Sequence, residues 1–322
     1  MTIVRNPFFI AFSVFLVLVL LLALYFDHEP GFLTLDDSQS ADQTVVGVAT
    51  TSMLVQSVET LLNKRGGYLS NDVLPPSSLL DNVPNWEFGV LQQVRDLAKT
   101  LRNDYSRSQT QSIPDSDLVI AEPKFNVSND AWMFPSAEGE YQDGVKYIKK
   151  YLVRLQDTST QNAQFYARAD NLKEWLGLVE KRLGALSLRL SQARPQLRIN
   201  TDLAGDANAE QSTSAASQVI AKSSWFEIDD NFYEARGTSW ALIHYLRAAE
   251  IDFKSVLEDK NAIPTLRQII RELESTQQEV DSPMILNGSG MGMFANHSLV
   301  MSSYISRANS GVSQLINLLA DG

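Results

Sequence analysis

The sequence contains no cysteine and only three histidines in 322 residues. The absence of cysteine excludes disulfide bonds, thiolate metal ligands, a cysteine nucleophile and a lipidated cysteine anchor. A zinc site would have to be built mainly from carboxylates, which is the minority arrangement. We therefore expect no metal and no cofactor. A cysteine-free chain of this length fits a bacterial periplasm, where exposed thiols are oxidised.

Positive charge is also scarce, with 27 Lys and Arg residues against 38 Asp and Glu residues and a formal net charge of −11. Binding to nucleic acid needs a basic surface for the phosphates, so this balance argues against nucleic acid as a partner. No polybasic stretch follows the hydrophobic N-terminus, which argues against a domain lying flat on anionic lipid. The acidic excess is more typical of a soluble surface than of a binding site.

One long hydrophobic run is present, over residues 7–26. It holds no charged residue, and Ser13 and Tyr25 are its only polar interruptions. A helix of this length spans roughly 30 Å, the thickness of the hydrocarbon core of a bilayer. A cleaved signal peptide is the alternative, but the run is long for one and no small-x-small pair follows it. We favour an uncleaved transmembrane anchor.

The charges beside the run predict its direction. By the positive-inside rule the N-terminus stays in the cytoplasm, and the bulk of the chain lies in the periplasm beside the bacterial inner membrane. Residues 27–41 read as a short polar tether. The flanking charges are Arg5 before the run, and Asp27, Glu29, Asp36 and Asp37 after it.

The rest of the chain predicts an all-α fold, an elongated helical bundle with irregular loop insertions. We expect a helical region over residues 42–200, a linker over residues 201–224, and a C-terminal helical region over residues 225–322 that packs on the first. Helices are expected over residues 42–64, from Trp86 onward, and over residues 139–157, 160–193, 229–259 and 264–280, followed by a last helix.

The strongest helical pattern is a leucine stripe, six apolar residues in steps of four and three. A similar stripe occupies the last helix. Such stripes form either the core of a bundle or the interface of a parallel coiled-coil dimer, and we favour the bundle core. The leucine stripe comprises Leu172, Leu176, Val179, Leu183, Leu186 and Leu190, and the second stripe Met301, Ile305, Ala308, Val312, Leu315 and Leu319.

Residues 113–136 show no helical period and contain three prolines and an aromatic stretch that includes Trp132 and Phe134. A long irregular segment inside a helical domain is often functional. The alternative is a small hairpin of residues 117–120 and 124–127 packed on the bundle. Exposed aromatic residues here would suit a protein interface.

Four carboxylates cluster at Glu227, Asp229, Asp230 and Glu234. Paired carboxylates can perform acid–base chemistry or bind a hard cation. Acidic residues in the first turn of a helix also stabilise it by complementing the helix dipole. We favour this structural interpretation.

A glycine string, Gly288, Gly290 and Gly292, precedes the last helix. It lacks the basic residue of a phosphate-binding loop and the βαβ context of a dinucleotide fold, so we favour a tight turn. His297 can cap or line this loop. His244, in the middle of a predicted helix, is expected to be partly buried.

Two stretches carry a family resemblance, WFEIDD followed by YEARG within residues 225–275, and NGSGMGMFANHS within residues 287–309. They resemble an uncharacterised bacterial family, domain of unknown function 2333, over nearly the whole chain. The resemblance implies an inner-membrane location with one N-terminal span. It implies no activity, cofactor or catalytic residue, but it adds weight to a joint site of the acidic cluster, the glycine string and His297.

These patterns favour a non-enzymatic envelope protein that binds another envelope protein or a second copy of itself. The alternative is a periplasmic enzyme that acts on cell-wall glycan or peptide with a carboxylate pair. An enzyme should bring several acids or histidines into one concave pocket, whereas an interaction protein should expose an apolar or aromatic patch.

Overall fold

The computed structural model describes residues 7–34, 45–109, 111–200, 210, 216–282, 284–289 and 293–320. This part of the chain is mostly helical, as predicted. The helices are α1 (Pro7–Phe26), α2 (Val48–Asn63), α3 (Asn82–Thr100), α4 (Ser116–Phe125), α5 (Ala137–Gln156), α6 (Ala169–Ser191), α7 (Ile228–Asp252), α8 (Lys254–Asp259), α9 (Ile263–Ser275) and α10 (His297–Ala320); the strands are β1 (Gln196–Ile199) and β2 (Gln218–Ala221).

Helix α1 is long and apolar enough to cross a membrane. Among its residues Val19 alone is buried, so the helix is not part of the protein core. Val19, Ala23 and Phe26 are its least exposed positions and lie four and three residues apart, on one stripe. The remaining side chains of α1 are exposed, as expected of a helix whose apolar surface faces lipid.

Helices α3 and α7 run parallel at the centre of the bundle. Near their starts, Asn85 Nδ2 donates a hydrogen bond of 2.6 Å to Asp230 Oδ1. Beyond their ends, the rings of Tyr105 and Phe253 lie 5.3 Å apart. A Cβ on Gly237 would lie 2.0 Å from the carbonyl oxygen of Trp86, so the backbones approach more closely there than any larger residue allows.

The leucine stripe packs within the chain. All six of its residues and all six of the second stripe are buried, and α6 lies against α10. Towards one end of this pair, Ser302 Oγ donates a hydrogen bond of 2.8 Å to the carbonyl oxygen of Ser187. The prediction of a bundle core is confirmed, because the partner of the stripe is α10 of the same chain.

The prediction that residues 113–136 lack a helix is wrong, and so is the hairpin alternative. Asp115 Oδ1 accepts hydrogen bonds from the backbone N–H groups of Asp117 and Leu118, and α4 follows. Its buried residues Leu118, Ala121 and Phe125 do have helical spacing. The helix is short and contains Pro123, which obscured the period.

Two predicted helix starts were also too early. Helix α2 begins at Val48, because Gly47 has a φ of +94° and Asp252 accepts hydrogen bonds from the N–H groups of Gly47 (2.8 Å) and Thr50 (2.7 Å). Residues 42–44 lie outside the described residues. Helix α6 begins at Ala169 rather than at residue 160, after a left-handed residue at Gln161.

In the C-terminal region, the helix predicted over residues 229–259 is divided at Phe253 into α7 and α8. Helix α9 has Pro264 in its first turn, as predicted, but ends at Ser275 rather than at residue 280.

The all-α prediction also missed a two-stranded antiparallel sheet. Strand β1 pairs with β2, with Leu197 opposite Ile220. Strand β2 falls inside the predicted linker of residues 201–224. Of that linker, residues 201–209 and 211–215 lie outside the described residues.

Candidate functional site

The acidic cluster lies at the start of α7. Ser224 begins a 3-10 turn, Trp225–Glu227, and its backbone N–H donates a hydrogen bond of 3.2 Å to Glu227 Oε2. The Ser224 side chain accepts from the N–H of Glu227, which completes a reciprocal capping box. Glu227 therefore has a structural role at this helix entry.

Glu227, Asp230 and Glu234 line one cleft of about 380 Å³ with Arg189 and Lys222. Arg189 Nη2 donates a hydrogen bond of 2.6 Å to Glu234 Oε1, which neutralises that carboxylate. Spacings of three and four place these acids on one face of the helical entry.

Asp230 is the perturbed carboxyl of this cleft. Burial, reinforced by the negative charges of Asp229, Asp81 and Glu227, raises the pKa of Asp230 to about 6 against the hydrogen bond from Asn85. A carboxyl with such a pKa exchanges protons near neutral pH, which acid–base chemistry requires. The same shift also follows simply from crowding acids at a helix terminus.

Asp229 faces away from this cleft, towards the segment that leads into the glycine string. Trp225, Ile228 and Asp229 enclose a cavity of about 130 Å³ together with Met284, Ile285 and Asn287. The start of α7 and the start of the glycine loop therefore meet. Gly290 and Gly292 lie outside the described residues.

Gly288 belongs to a tight backbone pairing. Its N–H donates a hydrogen bond of 2.8 Å to the carbonyl oxygen of Ala295, and Asn287 forms a β-bridge with Asn296. A Cβ on Gly288 would lie 2.1 Å from the carbonyl oxygen of Phe294. The glycine at this position is explained by this close approach and needs no bound phosphate.

His297 begins α10 and faces a different cleft. Its Nδ1 accepts a hydrogen bond of 3.0 Å from the N–H of Leu286. It lines a cleft of about 420 Å³ with Phe232, Arg236 and Tyr304, and none of the four clustered acids lines that cleft. The structure therefore separates the candidate residues over three places: Glu227, Asp230 and Glu234; Asp229; and His297.

Sequence reasoning missed a contact between residues 27–34 and α7. These residues were predicted to form a tether, but residues 27–32 line a cleft of about 560 Å³ with α7, residue 277 and residues 279–281. Arg236 Nη2 and Nε donate hydrogen bonds of 2.7 and 2.8 Å to the carboxylate of Glu29. Arg236 Nη1 also donates to the carbonyl oxygens of Thr276 (3.1 Å) and Gln278 (2.7 Å). Of the predicted tether, residues 35–41 lie outside the described residues.

Two further residues of α7 hold the same segment. Trp240 Nε1 donates a hydrogen bond of 3.1 Å to the carbonyl oxygen of Gly31, and the N–H of Leu33 donates one of 2.8 Å to His244 Nε2. Since His244 Nε2 accepts, Nδ1 carries the proton that bonds the carbonyl oxygen of Trp240 at 2.6 Å. Burial, together with the nearby charge of Arg247, lowers the pKa of His244 to about 4, against the hydrogen bond to the carbonyl oxygen of Trp240.

A signal for this contact exists in the sequence. Arg236, Trp240 and His244 are four residues apart and therefore form one row of hydrogen-bonding side chains on an otherwise buried helix. Such a row indicates a polar partner, although it does not identify residues 27–34 as that partner.

The predicted aromatic segment forms an exposed tip at residues 132–134. Trp132 is 56% exposed and Phe134 is 92% exposed. Hydrogen bonds fix the base of the tip: Asn71 Nδ2 donates to the carbonyl oxygen of Ala131 (3.0 Å) and to Glu138 Oε2 (2.8 Å). Ser136 Oγ accepts from the N–H of Gly139 at 3.2 Å and so begins α5. The tip therefore has a fixed base and an apolar, solvent-facing surface.

Within the described part of the chain, no group of three or more His, Asp or Glu residues is arranged to hold a metal ion. Three carboxylates of the acidic cluster have protein partners: Glu234 accepts from Arg189, Asp230 from Asn85, and Glu227 from the backbone N–H of Ser224.

No curated protein and no solved structure matches this chain. One family model, described as an uncharacterized protein conserved in bacteria, matches residues 3–322, which is essentially the whole chain. The match includes α1 together with the acidic and glycine-rich stretches of the C-terminal region. The chain therefore belongs to this bacterial family, domain of unknown function 2333.

Proposed function

We propose that this protein is a single-pass component of the bacterial inner membrane whose helical domain lies in the periplasm and binds another envelope protein. The exposed, apolar surface of α1 supports the membrane span. Arg5 before the span and the acidic residues after it support a cytoplasmic N-terminus. In this proposal the domain has an interaction role and no catalytic one.

The observation that carries the interaction role is the aromatic tip of Trp132, Met133 and Phe134. Large aromatic side chains dominate the energy of protein interfaces when a partner buries them. A fixed base lowers the entropic cost of binding, because the backbone is already ordered. Exposure of both Trp132 and Phe134 in the free protein is costly for a monomer and is explained by a partner.

Site-specific photo-crosslinking in intact cells tests this proposal. A photoreactive amino acid replaces Trp132 or Phe134, and Ile113 serves as the matched control because it is an apolar residue that is 91% exposed elsewhere on the domain. We expect one discrete protein adduct from both tip positions and none from Ile113. An adduct of the same mass as two copies would identify self-association. Crosslinks to lipid alone, or equal patterns at all three positions, would contradict the proposal.

A second candidate function is a periplasmic enzyme that acts on cell-wall glycan or peptide, and Asp230 is the observation that favours it. The Asp230 carboxyl has a pKa of about 6 and lies in a cleft that Arg189 and Lys222 also line. Replacing Asp230 with Asn keeps the shape and the acceptor for Asn85 but removes the titrating proton. If Asp230→Asn abolishes the function of the protein in cells at an unchanged protein level, the result would favour the enzyme. If cells with Asp230→Asn behave like cells with the unmodified protein, the result would favour the interaction role.

A further inference from the structure

The bundle has one end that carries α1. Helices α3 and α7 both begin at this end, where Asn85 bonds to Asp230. The 3-10 turn Ser77–Leu79 precedes α3 by two residues, and its Cα atoms approach α1 within 8 Å. The ring of Phe26, the last residue of α1, packs on the backbone at Gly66, where a Cβ would lie 2.9 Å from the ring. We call this the anchor end of the bundle.

A loop at the anchor end is apolar and exposed. Between Asp72 and Asp81 the chain has no charged residue. Leu74 is 73% exposed and Leu79 is 65% exposed, whereas Leu69 and Val83, before and after the loop in sequence, are buried. An exposed apolar loop directly beside a transmembrane helix differs from scattered surface leucines, because it continues the apolar surface of the helix.

The least exposed positions of α1 show how far along this helix the domain extends. Val19 is buried, and Ala23 and Phe26 are partly buried, whereas the rest of α1 is exposed. Val19 lies seven residues before Phe26, or roughly 10 Å along the helix axis. Tyr25, a residue type that prefers the membrane–water interface, has the guanidinium of Arg65 over its ring at 5.4 Å. Protein that covers α1 down to Val19 therefore extends below the level of Tyr25.

We propose that residues 73–79 insert into the periplasmic leaflet of the membrane that α1 spans, as a second, interfacial contact with lipid. The inserted side chains are those of Val73, Leu74 and Leu79. Insertion by roughly 5–10 Å is the depth at which interfacial apolar segments bury their side chains. Because the loop is uncharged, this contact does not depend on anionic lipid. It fixes the orientation of the domain and places the tip of residues 132–134 near the membrane, since Asn71 joins the tip to this loop.

This inference rests on the membrane span of the proposed function, so the test contains a separate control for the span. The chain has no cysteine, so single-cysteine variants carry one label each. The full-length variants Leu74→Cys, Leu79→Cys, Leu16→Cys and Ile113→Cys are labelled with an environment-sensitive fluorophore and reconstituted in phosphatidylcholine nanodiscs. Leu16 lies in the middle of α1. Ile113 follows the far end of α3, roughly 30 Å from the loop.

We expect labels at Leu74 and Leu79 to be quenched by nitroxide-labelled lipid and protected from iodide several-fold better than the label at Ile113. Shallow nitroxides should quench them more than deep ones, whereas the label at Leu16 should show the reverse preference. Equal iodide quenching at Leu74, Leu79 and Ile113 would overturn the inference. Protection from iodide without quenching by nitroxide lipid would also overturn it, because protein rather than lipid would then cover the loop. Failure of lipid to quench the label at Leu16 would instead overturn the span and the proposed function.

Discussion

The N–H of Leu33 donates a hydrogen bond of 2.8 Å to Nε2 of His244, across 211 positions of sequence. This bond joins the segment that follows α1 to α7, the central helix of the bundle. With the Glu29–Arg236 ion pair and the bond from Trp240 to Gly31, it makes residues 27–34 part of the domain. Helix α1 is therefore connected to the bundle through docked residues rather than through a free tether.

Two truncations test the docking of this segment. Removal of residues 1–26 should leave a soluble, predominantly helical domain, because the remaining helices bury their apolar faces. Removal of residues 1–34 should lower the thermal unfolding midpoint further, since Arg236 loses its carboxylate and Trp240 and His244 lose their partners. Circular dichroism on both proteins measures the difference. Equal midpoints would show that the segment does not stabilise the domain. Glu29→Gln, made in the protein that lacks residues 1–26, should have a midpoint between those of the two truncated proteins.

His244 predicts a pH dependence of stability. Its pKa is about 4 in the folded protein and 6.5 in the unfolded chain, so the unfolded state binds the proton more tightly. The stability that the neutral imidazole contributes is present above pH 6.5 and is lost as the pH falls towards 4, by at most about 3 kcal/mol. The protonated ring also cannot accept from Leu33. Denaturant unfolding of His244→Gln between pH 7 and 4 should show a shallower loss than the unmodified protein; parallel curves would contradict the assignment.

Asp230 predicts the opposite pH dependence. Its pKa is raised to about 6, so the folded state binds the proton more tightly than the unfolded chain does. The stability gained from this carboxyl is fully present below pH 3.8 and is lost as the pH rises through 6. Asp230→Asn should therefore be more stable than the unmodified protein at pH 8, with the advantage vanishing near pH 4. A variant that is less stable at pH 8 would show that the ionised carboxylate is a needed helix-capping group instead.

The burial of the leucine stripe predicts how much stability a substitution within it removes, compared with a substitution outside it. Leu183 is fully buried, so Leu183→Ala should reduce the free energy of unfolding by about 2–5 kcal/mol. Leu188 lies on the same helix and is 40% exposed, so Leu188→Ala should cost markedly less. Urea unfolding compares the two. Equal losses would mean that the packing of α6 on α10 does not depend on the stripe.

Helices α6 and α10 were predictable because each buries one apolar stripe of regular helical period along its length. Helix α4 was missed because ten residues with an internal Pro123 give too few repeats to reveal the period. Strands β1 and β2 were missed because each has only four residues and they are separated by a long segment with few bulky apolar residues. Short helices and strands depend on tertiary contacts, which the local pattern of apolar residues does not reveal.

The candidate site was predictable in part. The sequence predicts one cluster of four acids, and the structure brings Glu227, Asp230 and Glu234 into one cleft but places Asp229 in another. The sequence does not reveal that Arg189 pairs with Glu234, because the two lie on different helices. The partners of Arg236, Trp240 and His244 were not predictable either, since they are largely backbone groups, which carry no residue-type signal.

The direction of the chain across the membrane is tested most directly by thiol labelling in cells. Ile113→Cys and Thr2→Cys place single thiols on the domain and before the span. With a membrane-impermeant maleimide added to intact spheroplasts, the proposed topology predicts labelling of Ile113→Cys at once and of Thr2→Cys only after lysis. Labelling of Ile113→Cys only after lysis would contradict the periplasmic location of the domain and the envelope function proposed for it.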